Sequence, residues 1–395
     1  MMSPSPRPLH IAIIGGFFLP IPPLAGGSTE KSWYRLGREF VARGHSVTMI
    51  SRRWAGLPDR ELTDGIQHVR VRGDDHTASL KRNLWLDLRW SLRVHRVLPQ
   101  VDIVVVNTLA LPCWLGSFRP AAGRVVLMAG RMPKGQYRLY RQIARIYAPS
   151  AVVRDQIAKE NAALASIVRI TGYPIDWAVF DRAAGRRVPT SAITLGYVGR
   201  IHEEKGLLLL TAALHRIAAI PGLPPVRLRL CGPVDVLRGG SGAEFSRRLM
   251  ESLPPSFRNR CELLEPSFDE FSLAEIYASI DVFCYPSLAS KGETFGVAVA
   301  EAMAAGAVPV VSGLPCFRAL VRHDENGLVF DHTAGDGAAR LADCLTRLLQ
   351  DASLRNNLAA AARQDVRRYD FPVFADMLLQ DFCELCSVGK RSSPF

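Results

Sequence analysis

Two glutamates, Glu293 and Glu301, bracket the run Thr294-Phe295-Gly296-Val297-Ala298-Val299-Ala300. Carboxylates at this spacing can accept hydrogen bonds from two groups of hydroxyls on one ligand. Tyr285-Pro286-Ser287 lies just upstream, and Ala305-Gly306-Ala307-Val308-Pro309-Val310-Val311 follows. That order predicts a buried strand, a loop, a helix from about Thr294 to Ala305, and a second buried strand. The backbone amides of Phe295, Gly296 and Val297 would then stand at an open helix N-terminus, which suits a phosphate. Gly296 would let that backbone approach a ligand closely. A helical rise of about 1.5 Å per residue sets the carboxylates on the order of 12 Å apart, roughly the span from hexose to ribose in a sugar nucleotide. Glu293 would hold sugar hydroxyls, Glu301 the ribose diol, and the helix end the diphosphate between them. An isolated pair of glutamates on a solvated surface helix would give the same local pattern.

A second segment separates the two readings. Gly196-Tyr197-Val198-Gly199-Arg200 ends a strand, and Lys205-Gly206 precedes the apolar helical run Leu207–Leu214. Arg200 and Lys205 lie across a strand-to-helix turn where packing is expected to demand neither charge, and both could aim at a diphosphate. Together with Asp281-Val282-Phe283-Cys284-Tyr285-Pro286-Ser287 and Glu293 through Glu301, these residues resemble the retaining glycosyltransferases of family 4. The resemblance covers nearly the whole chain. It implies a GT-B fold: two Rossmann-like α/β domains facing across a cleft, with a last helix near Phe371–Leu385 crossing back to the first. It also implies transfer of a hexose from a UDP- or GDP-type nucleotide sugar to a hydroxyl acceptor, with retention. Catalytic roles fall to Arg200, Lys205 and Glu293. Donor contacts fall to Gly27, Arg200, Lys205, Glu293, Thr294, Phe295, Gly296, Val297 and Glu301. No metal or other cofactor is expected, because the cationic pair takes a metal's place opposite the leaving diphosphate.

The chain has 395 residues, which fits two domains of ordinary size. Strands are predicted at His10–Ile14, Ser46–Ile50, Gln67–Val71, Ile103–Asn107 and Val125–Met128, with helices at Ser28–Arg43, Ser79–Leu98, Tyr137–Tyr147 and Ala151–Glu160. The second half repeats the scheme, with strands at Ile193–Val198, Arg227–Cys231, Cys261–Leu264, Val282–Tyr285 and Val308–Val311. Such alternation gives parallel sheets covered on both faces, with ligands at the carboxyl ends of the strands. Gly, Arg, Pro and Ser interrupt the pattern near Gly185–Ser191. The expected division is therefore an acceptor-binding domain over 1–187, a nucleotide-sugar domain over 188–370, and a returning helix over 371–395.

The first strand runs into Gly15-Gly16 and a proline-rich loop that reaches Gly26-Gly27 before a helix. This pair is either a plain turn or a phosphate-facing loop; the family resemblance implies the second, with Gly27 against the diphosphate. Asp176 and Phe180 match the residues that end the first domain in the family, and His45 reads as structural. Two departures bear on the sugar and acceptor. Ala129-Gly130-Arg131 stands where many relatives have a histidine, and Arg318-Ala319 replaces a usual glutamate after Gly313.

Residues 1–188 carry 28 Lys and Arg against 13 Asp and Glu, a charge of +15, whereas 189–395 carry 21 against 24, a charge of −3. The basic half suits an acidic partner. No zinc finger or basic–aromatic repeat supports nucleic acid. Within Ser79–Leu98, Trp85, Leu88 and Leu92 share one helical face, while Arg82, Arg89, Arg93 and Arg96 gather on a broad polar side with Lys81 near its start. That face is either core or a peripheral contact with an anionic membrane that carries a lipid-linked or glycan acceptor. Eight scattered cysteines fit reduced thiols in a cytoplasmic protein. Cys383-x-x-Cys386 reads as one helix face rather than half a zinc site. Competing readings are an inactive GT-B scaffold, a sugar-nucleotide epimerase, and an NADP oxidoreductase. The last lacks a G-x-G-x-x-G turn.

Overall fold

The structure, a computed structural model, describes residues 7–187, 190–265, 267 and 269–388. The chain divides into two compact units. One comprises the described residues up to Pro174 together with those from Phe371, and the other is Ile175–Asp370. Val188 and Pro189, inside the expected linker, and 389–395, the end of the segment expected as the returning helix, lie outside the described residues.

The first unit contains β1 (His10–Ile14), β2 (Ser46–Arg52), β3 (Arg60–Thr63), β4 (Ile66–Val71), β5 (Ile103–Val106), β6 (Arg124–Met128), β7 (Arg145–Ala148) and β8 (Val168–Ile170). Their order across the sheet is β3-β4-β2-β1-β5-β6-β7-β8. Only β3 runs antiparallel, against β4. The central strands are apolar on both faces because helices cover both faces. Ile11 and Ile13 enter one core, with Leu36 and Phe40 of α1 (Ser28–Ala42). Ala12 and Ile14 enter the other, with Trp90 and Val94 of α2 (Leu80–Val97). Two more helices, α3 (Leu115–Phe118) and α4 (Ala151–Glu160), follow in this unit.

Helix α2 resolves the ambiguity of its apolar residues. Leu86, Trp90 and Val94 are buried, whereas Leu84, Trp85, Leu88 and Leu92 are exposed. The face that carries Trp85, Leu88 and Leu92 is therefore not core. Arg89 lays its guanidinium over the Trp85 ring, 4.5 Å from the centroid. Arg93 turns away to Asp74, at 3.1 Å.

The helix expected over Tyr137–Tyr147 is not formed. A single 3₁₀ turn spans Gln136–Leu139, and β7 then pairs Arg145, Ile146 and Tyr147 with Val126, Leu127 and Met128 of β6. Tyr137, Tyr140 and Ile143 are buried at a spacing that imitates a helix face. Extending the sheet satisfies more backbone and buries Ile146 and Tyr147 completely, so tertiary pairing overrides the local pattern.

The second unit has α5 (Trp177–Gly185), β9 (Ile193–Val198), α6 (Leu207–Ala218), β10 (Val226–Cys231), α7 (Gly242–Glu251), α8 (Pro255–Arg258) and β11 (Cys261–Leu264). It continues with α9 (Glu270–Ala278), β12 (Val282–Tyr285), α10 (Val297–Ala304), β13 (Val308–Ser312), β14 (Leu328–Phe330), α11 (Gly337–Gln350) and α12 (Ala352–Val366). The sheet order is β11-β10-β9-β12-β13-β14, parallel throughout. Helix α5 belongs to this unit, because Phe180 packs edge-on against Tyr277 of α9 at 5.5 Å.

The last helix, α13 (Phe371–Val388), belongs to the first unit. Phe374, Leu378 and Phe382 join the core beside Phe40. Buried Asp381 accepts hydrogen bonds from Tyr147 Oη at 2.7 Å and Arg145 Nε at 2.9 Å, and Arg169 lies 2.7 Å away. A lone carboxylate there would be expensive to bury. Two arginines and a phenol make it a pin that fixes the helix against β7 and β8.

His68 of β4 is fully buried, and neither ring nitrogen has a hydrogen-bond partner among the described residues. Burial holds its pKa down to about 4; nearby Arg70 adds to this, and Glu61 and Asp64 oppose it. The unfolded chain therefore takes up a proton before the folded chain does. Stability is expected to fall as pH drops from about 6.5 towards 4, and His68→Asn should flatten that part of the curve. Urea midpoints for both proteins across this range check it; identical slopes would refute the assignment.

Candidate active site

Strands β9 and β12 are neighbours, paired through Leu195 with Val282 and Gly196 with Phe283. Segments leaving their carboxyl ends therefore emerge side by side. After β9 the chain turns through Gly199-Arg200 into a 3₁₀ turn, Glu203–Lys205, which leads to α6. After β12 it runs through a loop to α10. Strand adjacency thus brings together residues 88 positions apart: Lys205 Nζ donates a hydrogen bond to Glu293 Oε1.

Both members of this pair are buried, Lys205 at 5% exposure and Glu293 at 8%. The same Glu293 oxygen accepts from Ser287 Oγ at 3.0 Å and from Tyr285 Oη at 3.1 Å. The ammonium also lies 5.7 Å from the Tyr285 ring centroid. Tyr285 stacks between Tyr197, at 5.5 Å, and Phe283, at 5.9 Å. Burial, then the nearby Tyr197 and Glu293, raise the Tyr285 pKa well above its usual value. The phenol stays protonated and remains a donor. The expectation that packing requires neither charge at the turn is wrong for Lys205: its ammonium is the counterion of a buried carboxylate.

Arg200 is more accessible. It donates to the Gly239 carbonyl at 2.9 Å and to Glu204 Oε1 at 2.5 Å. Lys205 Nζ lies 3.7 Å from the same oxygen. Glu204, unremarked in the sequence, therefore links the two cations. Partial burial pushes its carboxyl up, but Lys205, Arg200 and His202 together outweigh this and hold it below the usual range.

Helix α10 starts three residues later than expected, at Val297. Gly296 is its cap, with φ of 96°, and a Cβ there would lie 2.8 Å from the Phe317 ring. This left-handed residue forces the chain to approach as a loop before the first helical turn. Val299 and Ala300 open the bonded turns by donating to the Gly296 carbonyl, so Val297 and Ala298 provide the leading amides. Glu293 precedes the helix, and the separation inferred from continuous helical rise does not apply. Thr294 is half-buried. Phe295 is a core side chain, 5.1 Å from the Tyr369 ring, and offers a ligand only its backbone. Glu301 accepts from Tyr277 Oη at 2.9 Å, which fixes the direction of its carboxylate.

In the first unit Gly27 caps α1 with φ of 97°. A Cβ at Gly27 would come within 2.3 Å of Glu30 Oε2. The carboxylate of Glu30, itself buried, thus fills the crook of the glycine loop; burial pushes its pKa up, against a hydrogen bond from its own backbone and the charge of Arg131. Nothing in the local pattern distinguishes Glu30 from an ordinary first-turn glutamate. His45 accepts from the Leu9 amide at 3.1 Å. Among the described residues no cluster of His, Cys, Asp and Glu could hold a metal ion.

Two parallel-sheet α/β units, the second carrying a cationic turn beside a helix amino end, define the GT-B class. Residues 183–365 match the family described as Glycosyl transferases group 1, and the chain belongs to that family. It is 30% identical over 293 residues to a phosphatidyl-myo-inositol mannosyltransferase of Mycobacterium tuberculosis, covering 72% of this chain and 66% of that relative. It is 33% identical over 212 residues to a D-inositol 3-phosphate glycosyltransferase of Corynebacterium urealyticum, covering 53% and 47%. The fold is similar to that of sucrose-phosphate synthase from Thermosynechococcus elongatus, with a TM-score of 0.70 at 20% identity, over 97% of this chain and 100% of that one.

Removing one member of the buried pair leaves the other uncompensated. Lys205→Met is expected to destabilise the fold by about 3–5 kcal/mol, and adding Glu293→Gln should recover much of that loss. Urea unfolding at pH 7 tests this; a Lys205→Met midpoint equal to wild type would refute the coupling.

Proposed function

We propose that this chain is a retaining glycosyltransferase that moves a hexose from a nucleoside-diphosphate sugar, of UDP or GDP type, to a hydroxyl acceptor. The observation that carries this reading is the convergence of Lys205, Arg200, Glu293 and the amino end of α10 beside the carboxyl ends of β9 and β12. Lysine has three donors and Glu293 uses one, so Lys205 can also meet a diphosphate oxygen. Arg200 supplies a second cation, and Val297 with its neighbours supplies backbone amides. These groups stabilise charge as the diphosphate departs, without a metal. Glu293 holds the sugar hydroxyls and Glu301 the ribose. Three hydrogen bonds on one Glu293 oxygen make that carboxylate a poor nucleophile. Retention is then best served by departure and attack on one sugar face, the diphosphate oxygen taking the acceptor's proton.

We assign donor binding to the second unit, residues 175–370, and acceptor binding to the first. The names of the two relatives share an inositol phosphate unit, which makes a phosphorylated polyol, free or lipid-linked, the favoured acceptor. Assembly of a cell-surface glycolipid or polysaccharide at the inner face of a membrane is the setting that fits. The exposed stripe Leu84, Trp85, Leu88 and Leu92, flanked by Lys81, Arg82 and Arg96, supports peripheral contact with anionic lipid. Among the described residues no helix is long and apolar enough to cross a membrane.

Arg200→Ala should lower turnover about a hundredfold or more while leaving the urea midpoint unchanged, since its guanidinium is half-exposed. Glu301→Gln should chiefly weaken binding of the free nucleoside diphosphate. Release of diphosphate from a panel of UDP-, GDP-, ADP- and dTDP-sugars reads both, and activity should persist in EDTA. Normal turnover in Arg200→Ala, or loss in EDTA with rescue by magnesium, would count against the clamp.

Co-sedimentation with phosphatidylglycerol vesicles tests the membrane contact separately. Binding should weaken with salt and fall at least tenfold when Trp85 and Leu88 are both changed to Ser. Unchanged sedimentation of that variant would remove α2 from the membrane surface.

A further inference from the structure

A second concentration of positive charge lies in the second unit, at the other end of its sheet. Arg227 is the second residue of β10 and Thr194 the second of β9, whereas the clamp residues follow the last residues of β9 and β12. A strand of this length separates the two ends by roughly 15–20 Å. Here a recess of about 370 Å³ is lined by Arg182, Arg186, Arg187, Arg227, Arg229 and Phe271, with Glu275 the one acidic lining residue.

Two of the arginines are already neutralised. Arg187 pairs with Asp281 at 2.5 Å, and Arg229 grips Glu262 with Nε at 2.8 Å and a terminal nitrogen at 2.5 Å. Asp281 is also occupied by the Thr194 amide, at 2.8 Å. No carboxylate among the described residues lies within ion-pairing distance of Arg182, Arg186 or Arg227, and all three are exposed. Arg182 and Arg186, at the end of α5, complement that helix's dipole. The dipole does not account for Arg227 and Arg229, which arrive from β10. Five guanidiniums face three carboxylates, which leaves two positive charges around a concave space. Phe271, 59% exposed, adds an apolar wall.

We propose that this recess is a binding site for a small phosphorylated molecule, distinct from the donor clamp. A phosphate monoester dianion matches the net charge of two, and guanidiniums suit its oxygens bidentately. The Phe271 ring suits the apolar face of a sugar or base. A concave space of this volume favours a small ligand over an extended polyanion. The site does not depend on sugar transfer: a chain inactive as a transferase would still bind here.

Calorimetric titration of the full chain with inorganic pyrophosphate at low salt tests this. Wild type should show two sites, one of them retained in Arg200→Gln. The triple variant Arg182→Gln, Arg186→Gln, Arg227→Gln should lose the other, with affinity down at least about tenfold. These side chains are exposed and unpaired, so the urea midpoint should not move. If it does, Arg227→Gln alone should still weaken the site at least about threefold. A triple variant that titrates like wild type, or a wild type whose single site vanishes in Arg200→Gln, overturns the proposal.

Discussion

The contact between Lys205 and Glu293 constrains most of what surrounds it. Two charges taken from water must compensate each other, and any hydrogen-bonding capacity left over must also be used. Ser287, Tyr285 and the aromatic stack of Tyr197, Tyr285 and Phe283 meet that demand. The loop after β12 must therefore bring Ser287 and Glu293 to one point, and the turn after β9 must deliver Lys205 to it. Both requirements follow from one topological fact, the adjacency of β9 and β12. Lysine suits this position better than arginine would: one compact ammonium can be held by a carboxylate and still keep donors for a ligand.

Arg200 plays a different part because its environment differs. Its guanidinium reaches Glu204 and a backbone carbonyl near the surface, where water shares the burden of solvation. The sequence treats the two cations as equivalent, five positions apart on one turn. The fold makes one a structural counterion and leaves the other largely free of packing duties. Loss of function at Lys205 thus mixes chemistry with stability, and Arg200 isolates the chemistry.

Much of the architecture was legible in the sequence, for a physical reason. Parallel strands covered on both faces are short continuous apolar runs, and the short length and β-branched or aromatic content of Ile103–Val106 and Val282–Tyr285 favour strand over buried helix. The motif residues were legible because unusual residue types cluster at strand ends. What escaped was whatever depends on partners distant in sequence. The β7 segment copies a helix pattern until β6 is available to pair with it. The start of α10 is set by a left-handed glycine pressed against Phe317, and Glu30 matters only because Gly27 leaves space for its carboxylate. Helix α2 was ambiguous because it carries two apolar faces, and only burial shows which of them the core uses.

The charge distribution gives a last instance of local arrangement outweighing totals. Residues 175–370, the second unit, carry 22 Lys and Arg against 23 Asp and Glu, a charge of −1, which by itself gives no reason to expect anion binding there. Yet mobile ions screen exposed charges beyond roughly 8–10 Å, so a ligand responds to its immediate surroundings and not to the sum over a domain. The negative side chains of this unit are largely spent in local pairs such as Arg247 with Glu244 and Glu251, Arg347 with Asp324, and Arg363 with Asp181. Each such pair contributes to the total and almost nothing to the field a few ångströms away. Cations that escape pairing, as Arg182, Arg186 and Arg227 do, keep their field. A unit with almost no net charge can therefore present positive potential at both ends of its sheet.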